Sequence, residues 1–510
     1  MITPRLASRL APLWNEFRYM EHQEVGVNWM LEKEGAGSGG LLCDEMGLGK
    51  TIQMVGLIKN QVKTRRQATL LIAPVAVLGQ WKSVLKRSNI RVWVPRTGKA
   101  PFIPSWSSPP NTPAAKNPRP YFWQMESNSK DLLAHSVYVI GYEAAQRSPS
   151  ILKDVAWDRV IYDEAHRLGS NNQSTELALS FTEKLKVKNI WLLTGTPIVN
   201  KVSDLRNLFV VAGIEAPKTN ELKLLEPIIK KYVMARTMDQ LRDQIADAPP
   251  KPTFKTFSLE FSTEEEGDFY KGMTGIICKR WKALDADGGS GPTGMEKLKL
   301  FMRLRQLSLH PQIYIAARKN ALKKLYTRAD WNGSSTKFDK LQEIICDCPT
   351  SHKWIIFTHF HEEMNMLENM FRVENNIELV QQYHGGLTAA QKADVIERSH
   401  MPIAPGKQEV LLVQLQSGGT GINLQHFDRI IFTGPWWTKA LMEQAVGRAV
   451  RIGQKNEVQV ISLSLKEEEA LNIDKYMLDK AAEKGELCRE VLASANTAIN
   501  KVKEENAISV

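Results

Sequence analysis

Eight residues near the start of the chain could hold a polyphosphate: Asp44-Glu45-Met46-Gly47-Leu48-Gly49-Lys50-Thr51. The two glycines let the backbone turn so that several N–H groups aim at one point. A helix starting at the lysine would aim its positive end there as well. Lys50 supplies a point charge for the outer phosphates, and the Thr51 hydroxyl is a ligand for Mg²⁺. The general phosphate-loop pattern wants glycine where this chain has Asp44, so the generic motif fails at one position. Further on, an apolar run ends in Asp163-Glu164. Adjacent carboxylates at the end of a buried strand are costly unless used. In a nucleotide hydrolase the first holds Mg²⁺ and the second positions or deprotonates the attacking water. Arg448 and Arg451 are spaced to share one face of a helix. They read either as arginine fingers for a γ-phosphate or as a salt-bridged surface pair. The amide of Gln23 offers the donor and acceptor that adenine presents in reverse, although a lone glutamine is more commonly an exposed helix residue.

These residues need elements to position them, and the apolar runs supply candidates. Leu41-Leu42 leads into the glycine turn as a strand, and Ile52 to Ile58 follows as an amphipathic helix. Phe17 to Leu31 has apolar residues at helical spacing. Thr69 to Ala73 is a strand stopped by Pro74, with a helix through Trp81 behind it. Val137 to Ile140, Trp157 to Tyr162 and Ile190 to Leu193 are further buried strands, the last ending in Thr194-Gly195-Thr196-Pro197. Pro95 to Pro120 holds eight prolines without periodicity and reads as a surface insertion. From about Asn200 to Lys337 the chain reads mostly helical, broken by Pro249-Pro250-Lys251-Pro252 and by a glycine-rich loop from Asp285 to Gly294, while Phe254 to Phe261 alternates like a strand. A second strand–helix series begins near Lys353: Trp354 to Thr358, Ile377 to Tyr383, Val410 to Leu415 and Arg429 to Thr433. Beyond Val460 the chain reads as helical. The alternation predicts an α/β protein with two parallel sheets.

Composition narrows the partners. A chain of 510 residues should hold two or more domains. No apolar run is long enough to span a membrane and no secretory segment is visible, which points to an intracellular protein. The net charge of +11 favours a polyanion. No basic amphipathic helix with a Trp/Leu face suggests a membrane surface. Five scattered cysteines read as reduced thiols, Cys346 and Cys348 beside His352 included, because their spacing is not that of a zinc finger.

Taken together, the motifs resemble those of the Swi/Snf family of superfamily-two helicase-like ATPases, which includes chromatin remodellers and DNA translocases. The resemblance runs from Phe17 to about Leu463. It rests on Asp44 to Thr51, Leu70 to Trp81, Asp163 to His166, Leu192 to Asn200, Arg236-Thr237 with Pro249-Pro250-Lys251, Leu304 to Pro311, His384-Gly385-Gly386, Gln416 to Leu424 and Gln444 to Gln454. It accounts for Asp44. It implies two RecA-like parallel-sheet lobes joined by a helical segment: residues 1–215 as the ATP-binding lobe, 216–336 as a linking segment with protrusions, 337–465 as the second lobe and 466–510 as a helical extension. It implies ATP and Mg²⁺ as cofactors, with Gln23, Asp44, Met46, Gly47, Gly49, Lys50, Thr51 and Gly421 among the nucleotide contacts. Thr51 and Asp163 would serve the metal, Glu164 the water, and Arg448 and Arg451 the γ-phosphate. Duplex DNA is the implied partner, with nucleosomes or other DNA-bound proteins as targets, in the nucleus or at a viral replication site. A strand-separating helicase on DNA or RNA is the alternative. Two departures stand out: Ala235 occupies a place where a second arginine is common, and Gly447-Arg448-Ala449-Val450-Arg451 lacks the family's frequent Asp-Arg and His-Arg pairs. The stretch Gly421 to Arg429 resembles the viral kind.

Overall fold

Short apolar runs buried on both faces suit a parallel sheet covered by helices on each side. The chain uses this solution twice. The computed structural model describes residues 10–61, 67–96, 123–127, 135–147, 149, 152, 155–170, 172–184, 186–286, 293–415 and 422–507. They divide into two compact units, one of residues 1–246 with 486–510 and one of residues 247–485.

The first unit contains β1 (Gly40–Leu42), β2 (Ala68–Ala73), β3 (Arg91–Pro95), β4 (Trp123–Ser127), β5 (Ser136–Gly141), β6 (Arg159–Asp163), β7 (Asn189–Leu193) and β8 (Val233–Met234). Their spatial order is β4-β3-β5-β2-β6-β7-β1-β8. All neighbours are parallel except β3 and β4. Of the proline-rich insertion, Pro95 closes β3, and residues 97–120 lie outside the described residues. Along each central strand, successive side chains enter opposite cores. Leu41, Leu70, Ile72, Val160 and Leu192 face one, and Leu42, Leu71, Ala73, Ile161 and Leu193 face the other. Three helices matter for the site: α1 (Glu21–Gly35), α2 (Lys50–Asn60) and α3 (Val75–Arg87). The terminal helix Ile473–Ala507 ends in this unit, where Val491 and Ala495 join the first core.

The second unit holds a wholly parallel six-stranded sheet. It is made of β9 (Thr253–Leu259), β10 (Lys353–Thr358), β11 (Ile377–Tyr383), β12 (Gln408–Gln414), β13 (Arg429–Phe432) and β14 (Gln459–Leu465), in the order β11-β12-β10-β13-β14-β9. Its two faces alternate in the same way, with Ile355, Phe357, Leu411 and Ile430 on one and Trp354, Ile356, Leu412 and Ile431 on the other. The strand β14 corrects the helical reading beyond Val460. Val460, Ile461, Leu463 and Leu465 are buried on the two faces between β13 and β9, and parallel pairing on both sides overrides local propensity. Helix resumes only at Ile473. The segment from 216 to 336 supplies β8 to one sheet and β9 to the other, and its long helices, Glu264–Ala286, Thr293–Leu309 and Pro311–Leu322, lie in the second unit.

One buried ion pair closes the N-terminal edge of the first sheet. Arg159, at the start of β6, donates through Nε to Glu34 Oε1 at 2.5 Å and through a second nitrogen to Glu34 Oε2. It also reaches Thr69 Oγ1 at 3.0 Å, and Trp191 Nε1 donates to Glu34 at 2.9 Å. Every charge in this knot is satisfied, so removing one partner strands the other. Glu34→Ala should destabilise the first unit by about 3–5 kcal/mol, read as a lower urea midpoint, whereas replacement of an exposed glutamate of the same unit such as Glu176 should change its stability by less than about 0.5 kcal/mol.

Candidate nucleotide site

In a parallel sheet with reversed strand order, ligands sit beyond the carboxyl ends of the strands. In the first unit β7 lies between β1 and β6, so the ends of these three strands share that edge. The predicted phosphate loop leaves β1, the acidic pair ends β6, and the Thr-Gly turn leaves β7.

The loop runs from Cys43 to Gly49, and α2 starts at Lys50. Gly47 and Gly49 have φ of +92° and +79°, a region that a side chain makes costly. At Gly49 a Cβ would also lie 2.7 Å from the Gln23 amide nitrogen. Leu48 is buried and pins the loop, and its carbonyl accepts the His22 Nε2–H at 3.0 Å. Gln23 is therefore brought against the loop by α1. Its Oε1 accepts the Met20 N–H at 3.2 Å, which fixes the side chain in the first turn of the helix. Met46, Lys50 and Thr51 are partly exposed. Lys50 Nζ donates to the Asp44 carbonyl at 2.6 Å.

Asp44, expected among the nucleotide contacts, has its carboxylate wholly buried and turned into the fold. Arg236 Nε donates to Oδ1 at 2.9 Å, and another Arg236 nitrogen donates to Oδ2 at 2.5 Å. Gln53 Nε2 adds a bond to Oδ2 at 2.9 Å. A carboxylate saturated in this way contributes to the loop only through its backbone.

Asp163 receives the Trp81 Nε1–H at 2.7 Å on Oδ2 and the Glu164 N–H at 3.0 Å on Oδ1. Tyr142 holds the Asp163 carbonyl at 2.9 Å. Burial pushes the Asp163 carboxyl up to about 6, and the Glu164 charge adds to the rise. The Trp81 donor and the Lys50 ammonium oppose it. Glu164 turns the chain through the left-handed region with φ of +52°. This uncommon conformation for a side-chain-bearing residue redirects the chain at the strand end. His166 Nδ1 lies 3.4 Å from a Glu164 oxygen and 3.3 Å from Thr194 Oγ1. Burial and the Arg167 guanidinium push this imidazole down to about 4, so it is neutral at pH 7 and acts as a hydrogen-bond partner rather than a charge. A methyl placed at Gly195 would lie 3.9 Å from Lys50 Nζ and 4.0 Å from the Met46 nitrogen, so the Thr-Gly turn abuts the phosphate loop. His166 and Trp81 fall within the motif stretches Asp163 to His166 and Leu70 to Trp81 without a role assigned there, and Tyr142 has no sequence signal; packing onto the strand ends gives all three their places.

Arg448 and Arg451 lie in the second unit and need a correction. The helix Lys439–Val446 stops before them at Gly447, and both sit in the turns that follow. Arg448 is buried and Arg451 half-buried, so they do not share an exposed helical face. Arg451 Nε donates to the Gly447 carbonyl at 2.7 Å, and the Arg448 carbonyl accepts the Leu424 N–H at 3.0 Å. Gln454 Nε2 clasps the Gln425 carbonyl at 2.7 Å, and Gln425 Nε2 clasps that of Ile452 at 2.6 Å. The arginine turn is thus tied to the segment that follows Gly421, which itself lies outside the described residues. In the same unit Trp436 is buried as a packing residue, with the Arg305 guanidinium 4.3 Å from its ring and His359 stacked at 5.5 Å.

The Asp163 titration supplies a test with a definite sign. A folded carboxyl near 6, against 3.8 ordinarily, binds more proton than the unfolded chain between those values. Stability is therefore lost as pH rises through that window. Glu164→Gln removes the like charge, so the Asp163 carboxyl should titrate lower by NMR and the melting midpoint should rise at pH 7 but not at pH 4. An unmoved or higher Asp163 titration would contradict the site geometry.

Residues 22–219 match the SNF2-related domain, and residues 336–453 match the helicase conserved C-terminal domain. The chain is 26% identical over 472 residues to an ATP-dependent helicase/translocase of Bacillus subtilis, which covers 86% of this chain and 45% of that protein. It is 26% identical to the chromodomain-helicase-DNA-binding protein 3 homolog of Caenorhabditis elegans, covering 86% of this chain and 25% of that protein. A global transactivator of Orgyia pseudotsugata multicapsid polyhedrosis virus is 25% identical, covering 98% of this chain and 94% of the viral protein. The chain thus spans less than half the length of the bacterial and nematode relatives. Among solved structures, the Sulfolobus solfataricus SWI2/SNF2 ATPase core in complex with dsDNA is 23% identical with a TM-score of 0.39, over 98% of both chains. With an SNF2-related domain followed by a helicase C-terminal domain, the chain belongs to the Swi/Snf family of helicase-like ATPases.

Proposed function

We propose that the chain is a duplex-DNA-dependent ATP hydrolase. It moves along the duplex without separating the strands and displaces or remodels proteins bound there, nucleosomes among them. The observation that carries this reading is the gathering of the phosphate loop, the acidic pair and the Thr-Gly turn at one strand-end edge of the first unit. The loop's backbone N–H groups and Lys50 bind the phosphates. To Gln23, which lies beside the loop, we assign the contact to adenine. Glu164, held by the sharp turn after β6, orients or deprotonates the attacking water. The Thr51 hydroxyl and the Asp163 carboxylate are the hard oxygen donors that Mg²⁺ prefers, and no group of three His, Cys, Asp or Glu side chains suited to another metal occurs among the described residues. When bound, Mg²⁺ neutralises phosphate charge as the γ-phosphoryl leaves. To Arg448 and Arg451 we assign the role of arginine fingers.

Duplex DNA suits the net charge of +11, and contacts made to phosphates carry little sequence preference and weaken steeply with salt. The names of the nematode and viral relatives support work in the nucleus or at a viral replication site. ATP hydrolysis measured without nucleic acid, with duplex DNA, with single-stranded DNA and with duplex RNA tests the reading. Duplex DNA should stimulate most, and Glu164→Gln should reduce the stimulated rate by about 10² or more. Equal or greater stimulation by single strands or RNA would favour the strand-separating helicase instead.

A further inference from the structure

Two of the buried arginine–carboxylate pairs among the described residues of the first unit lie at opposite edges of its sheet. Arg159–Glu34 lies at the N-terminal edge, and none of its described partners belongs to the phosphate loop. Arg236–Asp44 lies within the loop itself, across 192 residues of sequence. The Arg236 guanidinium binds both Asp44 oxygens, the Gln53 Oε1 at 2.8 Å and the His22 carbonyl. It therefore fastens α1, the loop, α2 and the segment after β8 to one another.

Backbone bonds run alongside the ion pair. The Cys43 N–H donates to the Met234 carbonyl at 2.6 Å, and the Glu45 N–H donates to the Arg236 carbonyl at 2.8 Å. The Met238 N–H donates to Glu45 Oε2 at 2.6 Å. Close packing leaves this cluster no slack. A Cβ at Gly26 would stand 1.9 Å from Gln53 Oε1 and 3.0 Å from an Arg236 nitrogen. The Asp44 carbonyl, held by the braced residue, is also the acceptor for Lys50 Nζ at 2.6 Å. Displacing Asp44 would displace the anchor of the lysine that meets the phosphates.

We infer that Arg236 is a positioning residue for nucleotide binding. It sets the phosphate-loop backbone through Asp44, from the segment that leads out of the first unit toward residue 247. Nucleotide affinity then depends on the course of residues 233–238. The inference rests on the nucleotide reading of the loop and adds to it a residue that makes no contact with nucleotide. A planar fork is required here, because lysine keeps the charge but cannot bind both Asp44 oxygens, Gln53 and His22 together.

The test is equilibrium binding of a fluorescent ATP analogue to the full chain, with melting midpoints, for Arg236→Lys, Asp44→Asn and Arg159→Lys. Arg236→Lys and Asp44→Asn should each weaken binding by about tenfold or more, with the loss appearing in KM more than in kcat. Arg159→Lys should lower the midpoint comparably and leave nucleotide affinity within about twofold of the unsubstituted chain. Unchanged affinity in folded Arg236→Lys, or an equal loss in Arg159→Lys, would overturn the inference. If Arg236→Lys does not fold, Asp44→Asn alone decides by the same criterion, and failure of both to fold reduces the pair to a structural role and overturns it too. Absence of nucleotide binding by the unsubstituted chain would instead overturn the proposed function.

Discussion

A carboxylate with no exposure must be neutralised where it stands, and Asp44 carries that requirement into the phosphate loop. The nucleotide end of the first unit follows from it. Arg236 must arrive beside β1, so β8 pairs in parallel with β1 and delivers it. Gln53 must face inward from α2, and Gly26 must have no side chain so that α1 can lie against the cluster. The loop then closes with Gly47 and Gly49 in left-handed conformations, and Lys50 emerges at the start of α2. Lone replacement of either charge leaves the other desolvated, so this arrangement tolerates little drift in any of its four segments.

The acidic strand end shows the same economy of placement. Asp163 sits where burial raises its carboxyl, and an indole N–H and a backbone N–H hold its two oxygens. A raised titration is a stability cost accepted at a place where a negative oxygen is useful. His166, kept neutral, links the acidic pair to the Thr194 turn and so joins two strand ends through one side chain. In the second unit the buried arginine turn is clasped by glutamine side chains, which fix Arg448 and Arg451 without a helix.

Much of this was legible in the sequence. Leu70 to Ala73, Ile190 to Leu193, Ile355 to Phe357 and Val410 to Val413 are apolar without alternation, which is the mark of strands covered on both faces. The glycines of the loop and the acid pair at a strand end also declare themselves by type and spacing. What stayed hidden was set by distance in the chain or by tertiary context. Nothing local to Asp44 points to Arg236, since the partner comes from the far side of the sheet's sequence order. Strand β14 mixes serines with apolar residues and is a strand because β13 and β9 flank it. The helix expected through Arg448 stops at Gly447 because the turn bonds to Leu424 and Gln425 outcompete another helical turn.

The central claim is movement on an intact duplex driven by ATP. The most direct measurement places streptavidin on the biotinylated end of a long blunt DNA duplex, one strand carrying a fluorophore, and follows both release of streptavidin and release of the labelled strand. The account predicts that streptavidin is displaced only with hydrolysable ATP while the duplex stays paired. Release of the labelled strand at the same rate, or displacement that needs no hydrolysis, would contradict it.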